Sequence, residues 1–500
     1  MTILLTPTDS AKYCIDVRAC ESIVCSRPHP LYGGGLRACG PAHFPDILVH
    51  KPENHRDEPG GVGAHIAIDS QPLTRRNFLQ IGAPLLGLGI ADLLELESHA
   101  AEAGHPTSQK SLIVFWTDGG LSQQDTYDVK PDAPAEYRGM YRPIETTVPG
   151  IVLSERLPFQ AKVMERLAIV RSAHHENGIH APSAHWMQTG YFGPTLARNA
   201  AQKPSLGSVI ARSLGSRQPP MPPYVSIPKS EAFGYQGAVY LGKAFNPFEV
   251  GADPNAADFK VPNLSLPGGL TARSVDSRRT LLKTFDTLRR DIDDSGVMEG
   301  LDTFKSQALE MVAGDRMRAA FDLNAEDAKL RDRYGRHRYG QSALLARRLV
   351  EAGARCVNIN TGNWDHHNDI AKGLEEHLPP LDRAIGTLIE DLQARGLLDD
   401  VIVYCVGEFG RTPRINGHAG RDHWSDCFSV MLAGGGIQGG RIVGASEKWG
   451  GGVQERLVTP LDLLATLYHT LGVPLNTHYE DASGRPVSIV GGGVPIRELT

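Results

Sequence analysis

Four short polar clusters hold most of the side chains in this sequence that are equipped for chemistry. They are W-T-D-G-G at Trp116 to Gly120, W-D-H-H-N-D at Trp364 to Asp369, G-E-F-G-R-T-P at Gly407 to Pro413, and G-R-D-H-W at Gly420 to Trp424. Together they supply the carboxylates and imidazoles of a metal site. Asp118, Asp365 and Glu408 each follow an apolar run, and open α/β sheets place functional groups in the crevice beyond the carboxyl ends of their strands. Three carboxylates gathered there repel one another unless a cation, above all a divalent one, neutralises them. The expected ligands are Asp118, Asp365, His367, Glu408 and His423. Asp365 and His367 stand two residues apart and reach one ion from a single loop, with His366 directed elsewhere. Asp422 and His423 are adjacent and face opposite ways, so His423 is the ligand and Asp422 a group that orients a neighbour. Mixed Asp, Glu and His donors suit zinc, manganese or iron, as one ion or two. Each assignment has a structural competitor: a salt bridge of Glu408 with Arg411 or Arg414, a plain turn at Asp118, a polar loop around His367. Asp125 and Asp128 in S-Q-Q-D-T-Y-D-V-K-P are reserve ligands or solvated turn carboxylates.

The elements that must position these clusters alternate in type. S-L-I-V-F-W-T (111–117), A-R-C-V-N-I-N (354–360), V-I-V-Y-C-V (401–406) and the later F-S-V-M-L-A-G-G-G read as strands. An amphipathic helix covers Tyr339 to Ala352, and another runs from the Pro379-Pro380 pair to Gly396, bracketed by its Pro start and Gly stop. A strand–helix–strand crossover makes its strands parallel. V-T-P-L-D-L-L-A-T-L-Y-H-T-L-G adds a closing helix opened by Thr459-Pro460. The expected class is α/β, a largely parallel central sheet with helices on both faces. From about residue 205 to 338 the sequence is first rich in Pro and Gly and then highly charged and helical, which predicts an insertion or cap within a domain spanning 104–500.

The 500 residues are 41% hydrophobic, enough for a well-buried core, and the net charge of −6 with no Lys/Arg run argues against a nucleic-acid partner. No apolar stretch reaches the roughly 20 residues of a transmembrane helix. T-R-R-N-F-L (74–79), the apolar I-G-A-P-L-L-G-L-G-I-A behind it and Ala101-Glu102-Ala103 resemble a twin-arginine signal peptide over 71–103. The twin-arginine export machinery is then a partner, and the destination is periplasmic or otherwise outside the cytoplasm. Residues 1–70 form an unusually long lead. They read as a disordered leader or as sequence upstream of the true start, for which Val62 is a candidate. Beyond the signal only Cys356, Cys405 and Cys427 remain, an odd number that indicates no disulfide framework.

H-A-P-S-A-H-W-M-Q-T-G, from His180 to Gly190, resembles the C-x-P-S-R nucleophile segment of sulfatases and related phosphatases, with His180 at the nucleophile position and Pro182 and Ser183 at the motif's Pro and Ser. More specifically, the region from about Ser111 to Val490 resembles the bacterial family called domain of unknown function 1501. It shares G-G-L-S-Q-Q-D-T-Y-D-V-K-P, W-D-H-H, G-E-F-G-R-T-P-R-I-N, G-R-D-H-W and L-A-G-G-G-I-Q-G-G. The resemblance implies an alkaline phosphatase/sulfatase-like fold and hydrolysis of phosphate or sulfate esters, with an anionic ester substrate such as a sulfated or phosphorylated polysaccharide. It also shows departures. The superfamily nucleophile is Ser, Thr or a modified Cys where this chain has His180, and its Asp-His pair becomes Glu408-Phe409. Two hydrolytic routes follow: attack by metal-activated water, or a covalent intermediate on His180. Ser122 and Ser183 are weaker nucleophile candidates, and Arg411 is a candidate bidentate clamp for the anion. The competing class is a non-catalytic binding or scaffold protein that keeps the fold and the metal.

Overall fold

Ser111–Trp116 (β1) is buried along its whole length, as a strand must be when it is covered on both faces. The computed structural model describes residues 108–193, 203–229, 237–262 and 315–500. The expectations for the leader (1–70) and the twin-arginine signal (71–103) lie outside the described residues, as does most of the charged helical stretch before residue 315.

β1 lies inside an eight-stranded sheet. Its other strands, in chain order, are β2 (Leu167–Ala173), β3 (Tyr224–Ile227), β4 (Phe248–Glu249), β5 (Cys356–Asn360), β6 (Val401–Val406), β7 (Phe428–Ala433) and β8 (Arg441–Val443). The spatial order is β8-β2-β7-β6-β1-β5-β3-β4, and β7 alone runs antiparallel, between β2 and β6. The expected parallel crossover is present, although β5 and β6 are not neighbours: both flank β1 and pair with it.

Side chains of β1 alternate between two cores. Ile113 and Phe115 face one side, under α3 (Arg338–Glu351) and α4 (Ile370–Ala394). Leu112, Val114 and Trp116 face the other, under α1 (His180–Thr189), α2 (Leu206–Leu214) and α5 (Pro460–Leu471). Helices thus cover both faces, as the sequence predicts. α5 begins where Thr459-Pro460 announces it, through a capping box with Asp462.

Two expectations need correction, and one strand is new. The stretch from about 205, read as the start of an insertion, instead supplies α2 and the sheet strands β3 and β4. These strands are two to four residues long and lack alternation, so no period-2 signal marks them. α4 starts at Ile370 rather than at Pro379, because Asp369 caps it by accepting from the Lys372 N–H, and Pro379 and Pro380 lie inside the helix. β2 was not anticipated, since its L-A-I-V run is only four apolar residues before Arg171.

Candidate metal centre at the strand ends

Strand register builds the site. Trp116 of β1 stands abreast of Asn360 of β5 and Val406 of β6. Asp118 and Glu408 therefore both lie two residues past one common level, with the loop carrying Asp365 to His367 beside them. The turn after β1 is held by glycine. Gly119 has φ +108°, and a Cβ there would lie 2.5 Å from the Asp365 backbone nitrogen. This close approach lets the Gly119 N–H donate to both carboxylate oxygens of Glu408, at 2.9 and 3.2 Å. The Asp118 carbonyl accepts from the Trp364 N–H at 2.8 Å and pins the second loop to the first.

Asp365 is the hub. Its Oδ1 lies 3.0 Å from His367 Nε2 and 3.1 Å from His423 Nε2, and these two ring nitrogens are 2.9 Å apart. The other nitrogen of each ring is committed elsewhere: His423 Nδ1 meets the Gly178 carbonyl at 2.7 Å, and His367 Nδ1 meets Asp422 Oδ1 at 2.6 Å. A carbonyl and a carboxylate can only accept, so both Nδ1 atoms carry protons and both Nε2 atoms of the neutral rings present lone pairs. At most one proton fits among three mutually close lone-pair donors, whereas one cation satisfies all three. The donor set therefore fits a metal ion.

A second cluster shares the same carboxylate. His180, the first residue of α1, spans from Glu408 Oε1 (2.6 Å to Nδ1) to Asp365 Oδ2 (3.2 Å to Nε2). Burial disfavours its charged form, but the hydrogen bonds to Asp365 and Glu408 outweigh this and raise the imidazole to about 9. Burial likewise opposes ionisation of Asp365, yet its hydrogen bonds from His180 and Arg411 hold the carboxyl well below the usual range. Ligand atoms of His180, Asp365 and His423 all lie within 4.8 Å of one another. The Phe409 ring packs on His180 and His423, at 5.1 and 4.5 Å between centroids, and gives the cluster an apolar wall.

The structure thus brings together Asp365, His367, Glu408, His423 and His180, with Asp118 at the same edge. His366 turns away and stacks on His377, and Asp422 holds His367 as expected. Three roles are corrected. Arg411 is fully buried and gives its guanidinium N–H groups to the Gly119, Gly120 and Arg421 carbonyls and, at 2.5 Å, to Asp365. It is neither an anion clamp nor a partner of Glu408 in a direct ion pair. Ser122 is buried and donates its hydroxyl to Asp125 at 2.6 Å, so it offers no accessible nucleophile. Asp125 pairs with Arg421 at 3.0 Å, and Asp128 with Lys130 at 3.0 Å and the Ser446 hydroxyl; neither is a free reserve ligand. Sequence reasoning missed His175, whose Nε2 sits 2.6 Å from the Glu408 carbonyl. Burial lowers its imidazole to about 4. The signal was the His174-His175 pair directly after the apolar run of β2.

Residues 109–500 match the model of the family described as "Protein of unknown function (DUF1501)", and the chain belongs to that family. No curated protein matches it. Solved structures that align with it include the lipoteichoic acid synthase LtaP from Listeria monocytogenes, at 9% identity over 79% of this chain and 76% of that one, TM-score 0.33. The phosphonate monoester hydrolase SpPMH from Silicibacter pomeroyi aligns at 11% identity over 78% and 76%, TM-score 0.33. The PsFucS1 sulfatase from Pseudoalteromonas sp. aligns at 12% over 76% and 71%, TM-score 0.31. Overlap at this level assigns no activity to this chain.

Proposed function

We propose that this protein is an exported, metal-dependent hydrolase of anionic esters, phosphate or sulfate, such as those of a sulfated or phosphorylated polysaccharide. The observation that carries the proposal is the triangle of His367 Nε2, His423 Nε2 and Asp365 Oδ1, with sides of 2.9 to 3.1 Å and both imidazoles fixed by acceptors at Nδ1. Two imidazoles and one carboxylate suit zinc, manganese or iron. A cation bound there would neutralise the anionic oxygens of the ester and polarise the bond to be broken. Arg411 occupies one lone pair of Asp365 Oδ1, which leaves a second for a cation. His180 acts here as a proton holder rather than a nucleophile: both ring nitrogens are engaged by carboxylates, so no lone pair is available for attack. From that position it would deliver its proton to the departing oxygen, with Glu408 keeping the ring in place.

Elemental analysis of the purified protein, paired with turnover of phosphate and sulfate esters, tests this reading. The expected result is about one metal per chain (on the order of one, as for a single donor triad), lost in Asp365→Ala together with turnover. Unchanged metal content in Asp365→Ala overturns the ligand set. One observation favours a second reading, a metal-holding protein without catalysis: Arg411 and Ser122, the expected clamp and a candidate nucleophile, are both committed within the protein. Full metal content with no turnover of either ester class would select it. Export through the twin-arginine route rests on Thr74 to Leu79 and is checked by cell fractionation of Arg75→Lys/Arg76→Lys, which should remain in the cytoplasm.

A further inference from the structure

The two-residue strands Gly410–Arg411 and His423–Trp424 pair antiparallel, so His423 and Trp424 project from opposite faces of one ribbon. His423 serves the metal centre, and Trp424 lines a groove of about 460 Å³ together with Tyr137, Arg414, Glu447, Lys448 and Trp449, two cations against one carboxylate. That volume falls in the range of roughly 300–1,000 Å³ typical of small-ligand sites. Trp449 is 46% exposed and stacks on Tyr137, with 5.3 Å between centroids and 21° between planes. The Trp424 indole N–H donates to the Gly451 carbonyl at 2.7 Å, which fixes its ring in the groove wall. Arg414 and Lys448 enter no ion pair among the described residues. Beneath the same loop lies Gln124, fully buried, with neither carboxamide atom hydrogen-bonded; a Cβ on Gly450 would sit 2.6 Å from its Nε2. Exposed aromatic surface of this kind marks an interaction site, and Arg414 and Lys448, outnumbering Glu447, bias it toward an anionic partner.

We propose that this groove binds a sugar ring of an anionic polysaccharide, with the aromatic faces of Trp449 and Trp424 against the C–H face of the ring and Arg414 and Lys448 on its sulfate or phosphate groups. A pyranose ring offers what the groove asks for: a flat apolar face, polar edges and, once sulfated or phosphorylated, fixed negative charge. An acidic peptide would meet the two cations but brings no such face to the stacked pair. The groove backs directly onto the ribbon that carries His423, so a polymer seated there is tethered beside the metal centre. The link to catalysis rests on the hydrolase reading; the binding itself does not.

The test is a tryptophan-fluorescence titration and gel-retardation series on the full chain with dextran sulfate, neutral dextran and poly-glutamate. The variants are Trp449→Ala, Arg414→Ala/Lys448→Ala and Asp365→Ala, each checked for a cooperative melting transition. Dextran sulfate should quench and retard the protein, and Trp449→Ala should weaken this by about tenfold. The double variant should weaken it at least as much and flatten its salt dependence. Asp365→Ala should bind dextran sulfate like the parent, which separates the groove from the metal centre. Loss of metal or of ester turnover in any variant bears on the hydrolase reading alone. Equal binding of poly-glutamate, unaltered binding by folded Trp449→Ala, or lost binding in folded Asp365→Ala would each overturn the inference.

Discussion

Asp422→Ala removes the acceptor that keeps the proton of His367 on Nδ1 and its lone pair on Nε2. The Asp422 and His367 side chains are 53% and 38% exposed, so their contact contributes at most about 1 kcal/mol to folding, and the metal-free variant should melt close to the parent. Metal affinity should respond far more, because loss of a group that orients a ligand histidine weakens binding by about 10- to 100-fold, or about 1.4–2.7 kcal/mol. Linkage turns this into a melting difference. At free metal about 100 times the parent's Kd, binding stabilises the parent by about 2.7 kcal/mol. The same concentration stabilises the variant by between about 1.4 and about 0.4 kcal/mol. The assay is a competition titration against a chromophoric chelator, with unfolding curves recorded in the presence of metal and of excess chelator. If Asp422→Ala binds metal as tightly as the parent, or if chelation leaves the parent's unfolding curve in place, the triangle of donors is not a metal site.

Ser122→Ala should keep ester turnover and lose about 1 kcal/mol of stability, since only its hydrogen bond to Asp125 is removed; abolished turnover in a folded variant would return the nucleophile role to this serine. Gly119→Ala should cost about 3 kcal/mol in urea unfolding, because a φ of +108° is strained for alanine and its Cβ would meet Asp365 N at 2.5 Å. Asp382 accepts the Phe159 and Gln160 backbone N–H groups at 2.9 Å each, and burial raises its carboxyl to about 7. An acid with a raised folded pKa holds its proton more tightly when folded, so its contribution is full below about pH 4 and is lost as pH climbs through about 7. At about 1.4 kcal/mol per unit the loss approaches about 4 kcal/mol, and Asp382→Asn should flatten the stability–pH curve across that window.

What could be read beforehand follows from how each feature is encoded. β1, β5, β6 and α5 announce themselves because a run such as V-I-V-Y-C-V or the Thr459-Pro460 cap is a local signal, complete within a few residues. The grouping of Asp365 and Glu408 was also legible, because an open sheet collects the residues that follow its parallel strands at one edge whatever the loops between them do, and His423 reaches that edge by preceding the antiparallel β7. The individual roles were not. Arg411 follows the Glu408 strand end by three residues, and sequence spacing pairs it with Glu408 or frees it for an anion. Its actual partner, Asp365, is 46 residues away, and the carbonyls of Gly119 and Gly120 that absorb its other N–H groups are nearly 300 residues away. Those carbonyls turn inward only because positive φ at both glycines folds the turn back against Phe409 and the Trp364-Asp365 backbone. The same nonlocality hid His175, which reaches the Glu408 carbonyl only because β7 inserts antiparallel between β2 and β6 and fixes their spacing. Residue type and strand end therefore determine which groups meet at this rim, and backbone geometry set by distant glycines decides which of them remain available to a cation.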